Sequence, residues 1–238
     1  VGDLVKTIIV DSTVACRPKR DEILEVDIQP TDVIVGFSSY GQATYEKEYN
    51  AGMGSNGLTS GRHDLLFHEY YSKYPESFDT NTDEEYIYSG NFSLTNSLEG
   101  TPVDIGKALL SPTRTYAPIL NDVVANPQLK SAIHGIIHCT GGAQTKVMKF
   151  LDKPLHIIKD NLLPIPALFD TIQKTTGTEM KEMFEVFNMG HRLEMYCDQE
   201  VAQELIDIAA SYNVEAKIIG RCEPSSTKKL TINGIEYQ

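Results

Sequence analysis

The sequence is short of positive charge. It has 21 Lys and Arg against 33 Asp and Glu, for a net charge of -12 and a pI near 4.9. Such a surface repels phosphate backbones, and nucleic-acid binding would need a concentrated basic face. Its one basic cluster, Arg17 to Arg20, runs straight into Asp21 and Glu22 and reads as a solvated turn. No nucleic-acid partner is expected. Closely spaced cysteines are also missing: Cys16, Cys139, Cys197 and Cys222 lie far apart, with no CxxC or other zinc spacing. Sparse thiols in an acidic chain imply reduced cysteines and a cytoplasmic location. No apolar run approaches the roughly 20 residues that span a bilayer, and no signal peptide opens the chain, so no membrane partner is expected. Neither the P-loop GxxxxGK[ST] nor the GxGxxG spacing occurs. An initiator Met is absent too. The opening "VGDLVKTIIV", already strand-like, fits either a fragment or Met removal before Val1.

What is present describes a globular chain: 238 residues, 41% hydrophobic, mean hydropathy -0.25, long enough to bury a core. Residues 4–16, 21–28 and 32–39 read as strands, the last two separated by a "QPTD" turn. A polar, glycine-bearing loop leads to residues 58–74, where Leu65, Leu66, Glu69 and Tyr70 form a helical stripe. Residues 75–101 are polar and aperiodic and read as a long surface excursion. Helical patterning resumes at residues 104–126, with helices expected to start or restart at Pro112 and Pro118. "SAIHGIIHCT" reads as a buried strand and "AQTKVMKFL" as a short helix. Then come a proline-started helix stopping at Gly177, a helix ending at Asn188 to Gly190, and the strand "RLEMYCD". In the clearest helix Val201, Leu205, Ile208, Ala209 and Tyr212 share one face, and Asp198 is placed to cap it. A strand and a hairpin turning at Asn233-Gly234 close the chain. The pattern is α/β or α+β: a mixed sheet with helices packed on one face.

The stretch "AIHGIIHCTGG" concentrates the chemistry. On a strand, His134 and His138 stand about 13 Å apart and cannot share one ion. Adjacent residues His138 and Cys139 point to opposite faces, which excludes a Cys-His nucleophile and makes Cys139 a core residue. No metal site is expected. A strand running into Thr140, Gly141 and Gly142 and then a helix suits an anion cradle, with Lys146 one turn in, or else a plain turn. "GMGSNGLTSGR" repeats that order, as a second cradle or a flexible loop. Arg114, in a first turn after Pro112, opposes the helix dipole and calls for an anionic partner, either a ligand or a surface carboxylate.

Taken together, "GSNGLTSGR", "ALLSPTRTY", "IIHCTGG" and "FNMG", with the closing β-helix-β unit, resemble the phosphoribosylformylglycinamidine cyclo-ligase (aminoimidazole ribonucleotide synthetase) family over about residues 32–223. The resemblance implies an enzyme of purine biosynthesis built from two α/β domains. In it ATP phosphorylates the formyl amide oxygen of formylglycinamidine ribonucleotide, the amidine nitrogen attacks, and phosphate leaves. By the same resemblance residues 1–31 are remnant strands of an N-terminal domain that carries most of the ATP and Mg2+ ligands and the homodimer contact, and residues 32–238 are the C-terminal domain. An isolated chain of this kind is expected to be inactive. Ser55, Asn56, Gly57 and Arg62 would line the cleft, and Thr113 and Arg114 would position anionic groups. His138, Thr140, Gly141 and Gly142 would form a substrate-side wall, with Asn188 and Gly190 a supporting turn. No catalytic residue is assigned. Ala143 stands where the family often has a third glycine, His191 and Arg192 replace small or apolar residues, and residues 42–52 and 75–101 look inserted. The alternatives are a relative of the selenophosphate synthetase, thiamine-phosphate kinase or hydrogenase-maturation type, or a non-catalytic phosphate-binding module.

Overall fold

A computed structural model describes residues 13–20, 23–55 and 57–237. Its centre is a seven-stranded sheet in the order β2-β4-β1-β5-β3-β6-β7. The strands are β1 (Val33–Ser38), β2 (Ile133–His138), β3 (Leu155–Lys159), β4 (His191–Cys197), β5 (Ala216–Pro224), β6 (Lys229–Ile232) and β7 (Ile235–Tyr237). All pairs are antiparallel except β3 with β6, so the sheet is mixed, as expected.

Alternation along β1 builds two cores. Val33, Val35 and Phe37 pack with Met195 and Cys197 beneath helices α4 (Ala117–Ala125), α5 (Pro127–Ser131) and α8 (Ala202–Ser211). Ile34 joins Ile137, Tyr196, Ile219 and Ile157 in a larger core on the other face. That core includes residues of α1 (Leu58–Leu65), α3 (Ile105–Leu109), α6 (Ala167–Thr176) and α7 (Met180–Val186). Helices therefore cover both faces, and the molecule has three layers rather than two. No helix among the described residues is long and apolar enough to cross a membrane.

Several local readings hold. Gln29 and Asp32 close the "QPTD" turn through Asp32 N to Gln29 O (3.1 Å) and Gln29 N to Asp32 Oδ2 (2.8 Å). α6 begins after Pro166 and stops at Gly177, whose φ of 70° suits a residue without Cβ. Asn233 and Gly234 both have positive φ, as a type I′ turn requires.

Other readings change. Of residues 4–16, 4–12 lie outside the described residues, and 13–16 form no strand. Residues 23–28 are extended but make no ladder: Asp27 N donates to His134 O (2.7 Å), and Val26 and Ile28 lie over Gly135, covering the edge of β2. The stripe across residues 58–74 splits into α1 and α2 (Glu69–Lys73), because Leu66 and Phe67 turn extended and bridge Phe92 and Gly90. This pairing shows that residues 75–101 are no mere surface excursion. Phe78, Ile87, Tyr88 and Leu98 from that segment enter the larger core. Gly90 sits so close to α1 that a Cβ would lie 2.1 Å from the Leu65 carbonyl carbon. Pro112 starts no helix, and the chain stays irregular until α4. Asp198 makes no side-chain cap hydrogen bond.

Candidate functional site

Strand β2 delivers the site. Its odd residues are buried, its even residues are not, and it ends at exposed His138. Cys139 turns inward and is 2% exposed, and burial with the nearby Glu194 carboxylate pushes its thiol well above the usual value. It is a core thiol. His138 lines a cleft of about 480 Å³ with Thr113, Arg114, Tyr116, Ile136 and Leu193. Its ring meets Tyr116 edge-on, with centroids 6.3 Å apart. Partial burial, then the positive charges of Arg192 and Lys146, pull the imidazole below its ordinary value, so it is neutral at pH 7 with a lone pair available.

Beyond His138 the chain folds back sharply. Thr140 N donates to His138 O (2.8 Å), and Lys146 Nζ donates to Thr140 O (2.7 Å). Gly141, Gly142 and Ala143 follow with φ of 50°, 101° and 41°, a left-handed run that costs Ala143 about 1–2 kcal/mol. Among the described residues, the N–H groups of Gly141, Gly142, Ala143 and Gln144 donate to no acceptor. Successive amides left free by such a turn form a concavity suited to an anion. A Cβ on Gly142 would lie 3.8 Å from Lys149 Nζ, so two lysines flank the turn. The following helix is a 3-10 segment, Ala143–Lys149.

A buried polar network stands behind the turn. Gln144 O accepts from Lys159 Nζ (2.7 Å), and Gln144 Nε2 donates to the carbonyls of Asn188 and His191. Lys159 Nζ pairs with Glu194 Oε1, which also accepts from His191 Nε2 (2.8 Å), while Tyr196 OH donates to Glu194 Oε2 (2.7 Å). Lys159, His191, Glu194 and Tyr196 are wholly buried. Burial alone would raise the Glu194 carboxyl, but Lys159 and His191 overcome it and hold it at about 2. Burial keeps His191 below its ordinary value despite that carboxylate, so His191 is neutral and carries its proton on Nε2. The residues beside this pair in the ladder are glycines, Gly36 opposite Glu194 and Gly220 opposite Lys159; a Cβ on Gly36 would press on the Ile219 side chain (2.8 Å) and one on Gly220 on the Ile158 carbonyl (2.0 Å).

The network also fixes the glycine loop. Asn188 Nδ2 donates to Gly52 O (2.8 Å), and Arg192 Nη2 donates to the carbonyls of Gly52 and Met53 (2.8 Å each). Asn188 Oδ1 accepts from Ser39 Oγ and from Gly190 N, so Asn188 and Gly190 form a buried supporting turn.

The expected residues do not all converge. Thr113, Arg114 and His138 share the cleft, and Thr140, Gly141 and Gly142 form the adjoining turn. Ser55 is exposed, Gly57 caps α1 at φ 78°, and Asn56 lies outside the described residues. Arg62 turns instead to the 75–101 segment, donating to Ser77 O (3.0 Å) and Tyr88 OH (3.3 Å). Arg114 is in no first turn. It is 2% exposed and gripped by Glu46 (Nε to Oε1 2.9 Å, Nη2 to Oε2 2.8 Å) and by the carbonyls of Ser38 and Tyr40. Its anionic partner is a carboxylate of its own chain. Gln144, Lys159, Arg192 and Glu194 were not picked out as working residues. For Lys159, Arg192 and Glu194 the one signal is charge inside strands otherwise rich in apolar residues, "LHIIK" and "HRLEMYC"; Gln144, in the 3-10 segment, has none.

A family model described as "AIR synthase related protein, C-terminal domain" matches residues 29–233. The chain belongs to this family. Among curated relatives, this AIR synthase related domain is 30% identical over 233 residues to the phosphoribosylformylglycinamidine cyclo-ligase of Methanocaldococcus jannaschii, covering 98% of the chain and 55% of the relative. It is 28% identical over 230 residues to that of Methanopyrus kandleri, covering 96% and 55%. The domain thus spans about half the length of the curated relatives it matches. Among solved structures, T. maritima PurL complexed with FGAR superposes with a TM-score of 0.45 at 13% identity, over 92% of this chain and 28% of the other.

Proposed function

We propose that this chain supplies the substrate-side wall of a phosphoribosylformylglycinamidine cyclo-ligase, which closes formylglycinamidine ribonucleotide to 5-aminoimidazole ribonucleotide at the expense of ATP. Residues 1–31 belong, in this reading, to a preceding domain that holds most of the ATP and Mg2+. A homodimer and a cytoplasmic setting belong to the same proposal. The observation that carries it is the left-handed Gly141-Gly142-Ala143 turn, with its free amides, beside the His138 cleft. The four amides, with Lys146 and Lys149, hold a phosphate of the ribonucleotide. His138, neutral at pH 7, faces the reacting end and can accept a proton from the amidine nitrogen. Thr113 borders the same cleft, and Arg114 with Glu46 keeps that wall rigid.

Titration of 15N-labelled chain with formylglycinamidine ribonucleotide tests this reading. The amide resonances of Gly141, Gly142 and Ala143 should move, and Gly142→Ala, strained at a φ of 101°, should weaken binding by roughly tenfold or more. Resonances that stay still at saturating ligand would sink the cradle. Ring closure by this chain alone, with ATP, would overturn the division of labour between the two halves.

A further inference from the structure

Strands β2, β4 and β1 are neighbours, and the end away from the diglycine turn gathers a second group of donors. Asp32 precedes β1, His134 is the second residue of β2, and Asp198 follows β4. Register brings them together: Val33 and Ile133 both pair with Cys197. The β2–β4 ladder shifts between Ile133 and Gly135, at His134 itself, and such a bulge re-aims the side chain it carries. One donor atom from each of Asp32, His134 and Asp198 lies within 4.8 Å of the others.

The charges in this group do not balance. Asp32 is wholly buried, with Oδ1 2.7 Å from His134 Nδ1 and Oδ2 accepting from Gln29 N (2.8 Å). Asp198 stands where a helix-capping carboxylate would, yet its side chain caps nothing, and no described residue donates to it. Among the described residues, no lysine or arginine pairs with either carboxylate; His134 is the one ion-pair partner of Asp32. The group at the other end, Cys139, His191 and Glu194, meets the same distance criterion, but Lys159 already sits on its carboxylate as a built-in cation.

We propose that Asp32, His134 and Asp198 bind a divalent transition-metal ion of the Zn2+ class, through one oxygen of each carboxylate and a nitrogen of the imidazole. Zinc takes such ligands at about 2.0–2.2 Å, which sets neighbouring donors roughly 3.4 Å apart. From donor separations of at most 4.8 Å, Asp198 need close by no more than about 1.4 Å, while the Asp32–His134 contact of 2.7 Å opens by about 0.7 Å to admit the ion. The Gln29 N–H holds the second Asp32 oxygen and fixes the carboxylate plane, as an outer-shell partner does. His134 and Asp198 are half-buried, which leaves a way in and room for water at the open positions. The imidazole nitrogen selects zinc, cobalt or nickel over magnesium. The site stands apart from the cleft and does not depend on the cyclo-ligase reading.

Co2+ titration of the purified chain, followed by visible absorption, is the experiment. One Co2+ should bind per chain, Zn2+ should displace it, and Mg2+ should not. Zn2+ should also raise the melting temperature. Asp198→Asn, nearly isosteric and at a half-buried position, should keep the metal-free fold by circular dichroism while weakening Co2+ by more than about tenfold. Absence of saturable absorption, or equal affinity in Asp198→Asn, overturns the site; the first outcome leaves a histidine–aspartate pair that binds only a proton.

Discussion

Strand β4 carries two carboxylate–histidine clusters, one near each end, built from nearly the same chemistry. At one end Glu194 and His191 lie beside Cys139, wholly buried, and Lys159 reaches from β3 to supply the positive charge. At the other, Asp32 is buried but His134 and Asp198 are partly open, and no lysine or arginine among the described residues answers the two carboxylates. The difference separates structure from binding. A sealed cluster must balance its own charge, because an unpaired ion costs several kcal/mol once water is excluded. A half-open cluster can leave the balance to something that arrives from solution.

The largest expected effect breaks the sealed cluster. Lys159→Met strands the Glu194 carboxylate and should cost about 3–5 kcal/mol in urea unfolding, with most of it recovered by adding Glu194→Leu. A neutral single variant would deny the pair its role. Acid should act next. Glu194 sits at about 2 in the folded protein against an ordinary 4.5, so its contribution is complete above about pH 4.5 and lost as pH falls towards 2. That gap is worth about 3 kcal/mol, and Glu194→Gln should flatten the pH profile of stability over the same window. The Arg114–Glu46 pair is an intermediate case, with the guanidinium buried and the carboxylate at 15% exposure. Glu46→Gln should cost about 2 kcal/mol, read as a shift in the urea midpoint at neutral pH. The smallest effect has the opposite sign. In metal-free buffer Asp198→Asn relieves one like-charge contact and should stabilise by about 1 kcal/mol, whereas wild type should gain the advantage once Zn2+ is present.

Much of this was legible from local pattern. β1, β2 and β5 announce themselves by β-branched residues, α6 by its proline start and Gly177 stop, the last hairpin by Asn233-Gly234. Strand alternation alone turned His138 outward and Cys139 inward. What was illegible depends on contacts between distant residues. Phe78, Ile87, Tyr88 and Leu98 have no period, because an irregular segment is pinned to the core one anchor at a time. Residues 21–28 look like a strand, but 21 and 22 lie outside the described residues and 23–28 meet β2 without joining its ladder. Arg114 showed that it needed an anion, while nothing local pointed to Glu46, 68 positions earlier. Lys159 and Glu194, 35 positions apart, likewise make sense only as a pair.

The position of β1 bears on how the chain is made. It lies third in the sheet, yet both strands that flank it, β4 (His191–Cys197) and β5 (Ala216–Pro224), come from the last fifth of the sequence. A ribosome delivering about 5–20 residues per second leaves β1 without either partner for many seconds. During that wait "VIVGFS" is an apolar strand with two bare edges, the kind of segment on which nascent chains associate. Sheet formation of such high contact order is slow even once the chain is complete. Expression at lower temperature, or with a holdase chaperone that shields β1 until β5 emerges, should raise the soluble yield more than any change to the surface.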